Sequence, residues 1–256
     1  MKTVTIAIAL LFLALSSLSF FTSFTSFTSG ASGLAFADDF KGQFFEPNSD
    51  QKKPVYRLDR TEKLVGNQRL AKGYFYSASN ELAIDEDTVW EDGQLKSYGF
   101  KRLLEKEAGS VEVRGKKIHF SYTKDGKQNE ADEDLTPNFV VAATLLDYIG
   151  KNWDTVIKGE TLDMRYGVLD RRETVGFKLF KISEGKVDAR ETLVLKMKPT
   201  SFIIAAIVDP VILTIDKGTK HLLKLNGRLL PKLFKDGHWV DFDGEGIYTY
   251  ASDKSP

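Results

Sequence analysis

The chain contains no cysteine among its 256 residues. Disulfide bonds, thiol catalysis and a lipid-modified N-terminal cysteine are therefore excluded, and noncovalent packing must stabilise the fold. The two signs of charge cancel, with 36 basic and 36 acidic residues. No long block of either sign is present, which disfavours nucleic acid as a partner because nucleic-acid-binding proteins concentrate positive charge.

Common catalytic and cofactor motifs are also missing. The sequence has no H-E-x-x-H, G-x-S-x-G, P-loop or G-x-G-x-x-G pattern, and only three histidines. We therefore predict no metal and no cofactor. The absence of motifs favours a non-enzymatic protein and leaves the question of catalysis open.

The first 37 residues have the layout of a secretory signal peptide. One lysine precedes an apolar run at residues 4–15, and no further charged residue occurs before Asp38. The sequence Ala35-Phe36-Ala37 has the small-x-small pattern of a signal-peptidase site. We predict cleavage between Ala37 and Asp38 and a periplasmic or secreted location. The alternative is a retained membrane anchor, because residues 4–21 approach the length that spans a bilayer.

The rest of the chain predicts one β-rich domain. Residues 38–54, in which the bulky side chains are only Phe40, Phe44 and Phe45, with glycine, proline and asparagine among them, are interpreted as a flexible lead-in, and residues 55–256 as a single domain. Apolar and polar residues alternate with period two in several segments, the pattern of strands with one buried face. The clearest are residues 118–122, 162–168, 175–179 and 193–197. Asp-Gly or Asn-Gly pairs, which favour hairpin turns, lie at residues 92–93, 125–126, 226–227, 236–237 and 243–244.

Two segments favour helices instead. Thr136-Pro137 supplies an N-cap and a proline at the first helical position, residues 139–149 are apolar at helical spacing, and Gly150 marks an end. A second, short helix is predicted within residues 199–208. The predicted fold is mainly β: a curved antiparallel meander sheet, or an open β-barrel or roll, with the mid-chain helix packed on its concave side.

The apolar run at residues 202–208 has no polar side chain. Burial in the core is its simplest interpretation. The other is a surface or pocket that meets an apolar molecule such as an acyl chain. In that case the candidate ligand-binding residues are Phe202, Ile203, Ile204 and Ile207, with Arg171 and Arg172 able to hold an anionic head group.

Two polar groups support a different function. Asp170 with Glu173, or His238 with Asp241, contain the acid and base that a hydrolase of glycan or ester bonds requires. Acidic residues and a histidine at residues 236–245 also provide oxygen and nitrogen ligands. However, this segment lacks the spacing of a calcium loop, so we expect hairpin turns there and no metal site.

The leader, the apolar segment at residues 135–149 and a late strand pair at residues 212–216 and 222–225 resemble a large family of periplasmic bacterial proteins. The domain of that family has no assigned function, and the resemblance, over about residues 55–250, is one of pattern. More loosely, the expected fold is similar to half-barrels that carry lipids or lipoproteins across the periplasm. The apolar run at residues 202–208 and the missing catalytic motifs favour an exported envelope protein that binds an apolar or lipidic ligand, or an envelope-assembly partner, without catalysis. A structural scaffold is the remaining alternative.

Overall fold

The computed structural model describes residues 38–206 and 208–254, which form one compact unit. The predicted leader, residues 1–37, and the candidate residue Ile207 lie outside the described residues. The described chain folds into fifteen strands and three short α-helices. The strands are β1 Phe40–Phe45, β2 Tyr56–Val65, β3 Gln68–Ser77, β4 Leu82–Glu91, β5 Gln94–Arg102, β6 Glu107–Arg114, β7 Lys117–Lys124, β8 Lys127–Asp134, β9 Phe139–Val140, β10 Leu162–Val168, β11 Glu173–Val187, β12 Arg190–Pro199, β13 Val211–Asp216, β14 Leu222–Lys235 and β15 His238–Tyr250.

All fifteen strands belong to one curved sheet, in the order β8 to β1, then β15 to β9. Neighbours in sequence pair antiparallel from β1 to β8 and from β10 to β15, as the meander predicts. The β1–β15 pair joins the two halves of the chain. Only β9 is parallel to its neighbour, through Phe139 and Val140 beside Arg165 and Tyr166 of β10. The predicted fold class is confirmed.

The predicted lead-in is wrong at residues 40–45, which form β1. This strand is paired along its length, with β2 on one side and β15 on the other. Phe44 and Phe45 are buried, and Val55 N donates to Phe44 O at 2.7 Å. Apolar side chains fixed by pairing on both sides outweigh the turn-forming residues that follow them.

Most of the alternating segments bury the predicted face. Ile118 and Phe120 are fully buried, as are Leu193 and Leu195. The aspartates at residues 92, 125 and 236 have φ angles of 50°, 50° and 51° and are followed by glycines with positive φ, as hairpin turns require. The predicted turns at residues 226–227 and 243–244 are wrong, because these residues lie inside β14 and β15. Gly227, with φ of 133°, instead precedes a bulge in the β14–β15 pairing.

The sheet bends until strands from its two ends face each other. Glu133 of β8 accepts hydrogen bonds from Thr174 of β11, at 2.9 Å from the backbone N and 2.6 Å from Oγ1. The rings of Phe120 and Phe139 meet edge to face with centroids 6.5 Å apart. The inner face therefore encloses the core, which consists of two apolar clusters that share Leu225 and Tyr248.

The mid-chain helix begins later than predicted. Residues 139–140 form β9, a 3₁₀ turn covers Ala142–Thr144, and α1 runs from Leu145 to Lys151 with α2 at Trp153–Ile157. Strand pairing with β10 and a hydrogen bond from Val141 N to Thr144 Oγ1, 2.9 Å, hold the preceding segment in an extended conformation. Gly150 does not end α1, because it lies within the helix.

The second short helix is confirmed as α3, Phe202–Ala205. Ser201 is its N-cap, and its hydroxyl accepts a hydrogen bond from Ile204 N at 3.5 Å. Within the described residues, every helix is too short or too polar to cross a membrane.

Two phenylalanines test where the core lies. Phe242 is 0% exposed and Phe234, in the adjacent strand, is 61% exposed. We expect Phe242→Ala to lower the free energy of unfolding by about 3–5 kcal/mol because it leaves a cavity, and Phe234→Ala to change it by about 0.5 kcal/mol or less. Urea unfolding of both variants measures the difference. Equal losses would contradict the assignment of the inner face.

Candidate functional site

The curved sheet encloses a cavity of about 530 Å³. This volume lies within the range of small-molecule sites, roughly 300–1,000 Å³. Most of its lining is apolar and comes from strands of both halves of the sheet. Representative lining residues are Phe75, Phe100, Phe177, Met197, Leu213 and Leu225.

Helices α1 and α2 cover one end of the curved sheet, which we call the closed end. Asp147 of α1 pairs with Arg69 of β3 through both carboxylate oxygens. Lys151 Nζ lies 3.5 Å from Gly93 O in the β4–β5 turn. On the other side, the Lys220 ammonium lies 5.5 Å from the Trp153 ring centroid. The helices are therefore tied to both halves of the sheet.

A group of five charged residues, the interior charge cluster, lines the cavity at this end. Its members are Arg60, Glu62, Arg69, Glu86 and Asp147. Arg60 lies 3.0 Å from a Glu62 oxygen and 3.5 Å from a Glu86 oxygen. Arg69 Nε lies 3.8 Å from Glu62 Oε2. All five side chains are at most 15% exposed.

Burial opposes ionisation of two carboxyl groups in the cluster. Burial raises the pKa of Glu62 and that of Glu86, and the nearby Arg60 charge offsets this only in part. Burial, followed by the adjacent Glu86 carboxylate, also raises the pKa of the Tyr98 hydroxyl. Glu62 Oε2 has no hydrogen-bond partner among the described residues. The cluster can therefore accept a proton or a hydrogen bond beside the apolar walls of the cavity.

Charged residues also surround the opposite end, the open end, where α3, the β10–β11 turn and the β14 bulge meet. The exposed residues Asp170, Arg171 and Asp241 line the cavity here. Arg228 Nε donates to Asp243 Oδ1 at 2.8 Å and also pairs with Asp241. The mouth of the cavity is therefore polar, whereas its walls are apolar.

Glu107 organises one side of this mouth. Its carboxylate lies 3.0 Å from Arg102 NH1, 3.0 Å from Lys232 Nζ and 3.1 Å from Lys124 Nζ. Burial alone would raise its pKa, but hydrogen bonds from Lys232, Tyr122 and Lys124 outweigh burial and lower the pKa to about 2. Glu107 is therefore ionised at neutral pH and holds Arg102 and Lys232 at the cavity wall.

Only some of the predicted ligand-binding residues line the cavity. Ile204 and Arg171 line the cavity. Phe202 and Ile203 are 88% and 76% exposed, so burial of the apolar run is wrong for these two residues. Their helix has only one turn, and only one side of it faces the sheet.

Arg172 lies next to the lining residue Arg171 in the β10–β11 turn but is not itself part of the cavity wall. Its NH1 group donates to Asp170 O at 3.3 Å. Arg171 Nε donates to Glu173 Oε1 at 2.6 Å. The two arginines therefore do not converge as a clamp on one ligand group.

Neither predicted acid–base pair has both of its members on the cavity. Asp170 lines it, whereas Glu173 binds Arg171 outside. Asp241 lines it, whereas His238 is exposed at the β14–β15 turn. Among the residues that the structure describes, no three His, Asp or Glu side chains are arranged to hold a metal ion.

The interior charge cluster was not predicted, although part of its signal is in the sequence. Arg60 and Glu62 share the parity of the apolar residues Tyr56 and Leu58 in β2. A charged residue on the same face of a strand as buried apolar residues lies in the core or at the edge of the core. The partners Arg69, Glu86 and Asp147 come from other elements, and only the fold shows that they meet.

Comparison of the chain with protein-family models, with curated proteins and with solved structures finds no match. The resemblance to a periplasmic family and to lipid carriers therefore stays a prediction.

The contact between α1 and β3 can be tested with a double-mutant cycle. Asp147→Leu alone should lower the free energy of unfolding by roughly 3–5 kcal/mol, because it leaves a buried guanidinium without its bidentate carboxylate. Adding Arg69→Met should recover most of that loss. Urea unfolding of both single variants and the double variant gives the coupling. Additive losses would mean that the two side chains do not interact.

Glu107 should make the protein sensitive to acid. Its pKa is about 2 in the folded protein and 4.5 ordinarily. Ionised Glu107 therefore stabilises the fold above about pH 4.5, and this contribution is lost as the pH falls toward 2. We expect Glu107→Gln to be less stable than the wild type at neutral pH, with a difference that shrinks in acid. Chemical unfolding across this pH range tests it, and a constant difference would contradict it.

Proposed function

We propose that the protein binds an amphiphilic, lipid-like ligand in the cavity of its curved sheet, without catalysis, and acts in the cell envelope after export. The observation that carries this proposal is the shape and chemistry of the cavity. A largely apolar volume of about 530 Å³ lies between a buried charge cluster and a charged mouth.

Energetics support a chain-like ligand. Burial of each methylene group contributes about 0.8 kcal/mol, so an acyl chain gains affinity along the apolar walls. The atoms that line an empty apolar cavity also lack packing partners, and an apolar ligand supplies them. Ligand binding should therefore raise the thermal stability of the protein.

The interior charge cluster supports a polar head group on the ligand. Arg60 and Arg69 provide donors, and Glu62 and Glu86 provide acceptors or, when protonated, donors. A few polar groups in an apolar pocket orient a ligand and select its head group. Export is supported by the signal-peptide pattern of residues 1–37.

A fluorescent long-chain fatty acid tests the cavity directly. Leu225 contacts both apolar clusters and lines the cavity. We expect the wild type to bind the probe saturably and Leu225→Trp to weaken binding by about tenfold or more, because the larger ring fills the space that the chain needs. Fluorescence titration measures both affinities.

The matched control is Leu64→Trp, which adds the same ring at an exposed residue outside the cavity. It should bind the probe like the wild type. Absence of saturable binding to the wild type would contradict the proposed function. Equal affinity of a folded Leu225→Trp variant would place the probe elsewhere. Native mass spectrometry of the protein purified from its own envelope then identifies a co-purified ligand.

A further inference from the structure

Two large apolar side chains point away from the protein at the open end. Phe202 and Ile203 in α3 are 88% and 76% exposed, and Ala205 and Ala206 beside them are also exposed. We call these four residues the apolar tip. Residues 200–206 contain no charged side chain. The exposed surface of the tip is therefore uncharged and largely apolar.

The apolar tip is continuous with the cavity. Ile204, from the same helical turn, lines the cavity wall and packs against the cluster of β10–β13. Thr200 N and Thr200 Oγ1 both donate to Gly176 O of β11, at 2.8 Å and 3.1 Å. The tip is therefore anchored to the sheet at the open end of the cavity.

Three lysines lie on the outer face of the strands that lead to the tip. Lys178 of β11 is the register partner of Lys198 of β12, and Lys196 follows the same face. We call them the basic patch. Within the described part of the chain, none of them forms an ion pair, whereas many other surface lysines do. The residue opposite Lys178 in β10 is an acid, Asp163, and Asp209 is the first acid after α3.

We propose that the apolar tip and the basic patch dock the protein on a lipid bilayer with anionic head groups, where the cavity exchanges its ligand. The exchange rests on the proposed function, but the docking does not. Apolar side chains insert at the boundary of head groups and acyl chains, and neighbouring lysines are attracted to anionic lipids. Lys198 Nζ lies 5.6 Å from the Phe180 ring centroid, but none of the three lysines is neutralised by an ion pair within the described residues. This combination of an apolar projection and lysines without ion pairs fits an anionic bilayer better than a neutral one.

The size of the tip also favours a bilayer over a protein partner. Stable protein–protein interfaces bury roughly 1,200–2,000 Å² in total, whereas the apolar tip is one helical turn with two large side chains. Membrane affinity scales with the apolar area inserted plus the attraction of cations to anionic lipid, so two such side chains with three lysines fit weak, reversible binding. Reversible binding is what a protein that loads and unloads ligand requires.

Sedimentation with vesicles tests the docking. The probe is a vesicle of phosphatidylcholine with phosphatidylglycerol, and vesicles of phosphatidylcholine alone are the control. Mass spectrometry verifies that the wild type and every variant begin at the same N-terminal residue. We expect the wild type to bind the anionic vesicles more tightly. Phe202→Ser with Ile203→Ser should weaken binding by about tenfold or more, and Lys178→Glu with Lys198→Glu should remove the preference for anionic lipid.

The matched control is Leu64→Ser with Val65→Ser. These residues are 71% and 53% exposed in the β2–β3 turn region, at the opposite end of the sheet. The control should bind vesicles like the wild type. No vesicle binding by the wild type, or an equal loss in the control pair, would overturn the docking proposal.

Fatty-acid titration in solution separates the two proposals. The Phe202→Ser, Ile203→Ser variant should keep the wild-type affinity for the fluorescent fatty acid, because neither side chain lines the cavity. Vesicle binding without fatty-acid binding would support docking and contradict the proposed function. Fatty-acid binding without vesicle binding would support the cavity and overturn docking.

Discussion

The pairing of β1 with β15 is the interaction on which the whole structure depends. Each half of the chain forms its own antiparallel meander, and β1, with only six residues, joins the two. Phe44 strengthens this joint because its ring contacts Phe75 of β3 and Tyr248 of β15, with centroid separations of 5.6 Å and 5.9 Å. Without this strand, two half-sheets would each expose an apolar face. With it, one continuous sheet can bend around a shared interior.

The bend brings charges into that interior, and a glycine makes room for them. Gly73 is the register partner of both Arg60 and Glu86. A Cβ atom at this residue would lie 2.9 Å from Glu86 Oε2, closer than packed atoms allow. The glycine therefore lets the Glu86 carboxylate approach Arg60. The attraction between the two charges offsets part of the desolvation cost of burying both. This site is specified by backbone space as much as by side-chain charge.

The sequence predicted what local patterns control. Alternation in residues 118–122 and 193–197 identified buried strand faces, and Asp-Gly pairs identified three hairpin turns. Long-range pairing is not a local property, so β1 was mistaken for a lead-in and Asn226-Gly227 for a turn. The apolar segment near Phe139 was assigned to a helix because of its spacing, but strand pairing with β10 overrides that spacing at residues 139–140. The cavity itself has no sequence signature, since its walls carry the same residues as a filled core.

If the cavity binds an amphiphile as proposed, protonation of Glu62 and Glu86 in the interior charge cluster would change which head group it favours. With all five residues ionised, two guanidinium groups face three carboxylates, and a donor or cationic group is preferred. Burial raises the pKa of Glu62 and of Glu86, and protonation of both would leave Arg60 and Arg69 with Asp147 alone. The same cavity would then favour an anionic head group such as a carboxylate. Because an anionic ligand also discourages ionisation of these acids, ligand charge and protonation are thermodynamically linked, so the affinity for a fatty acid should rise as the pH falls through the raised pKa values.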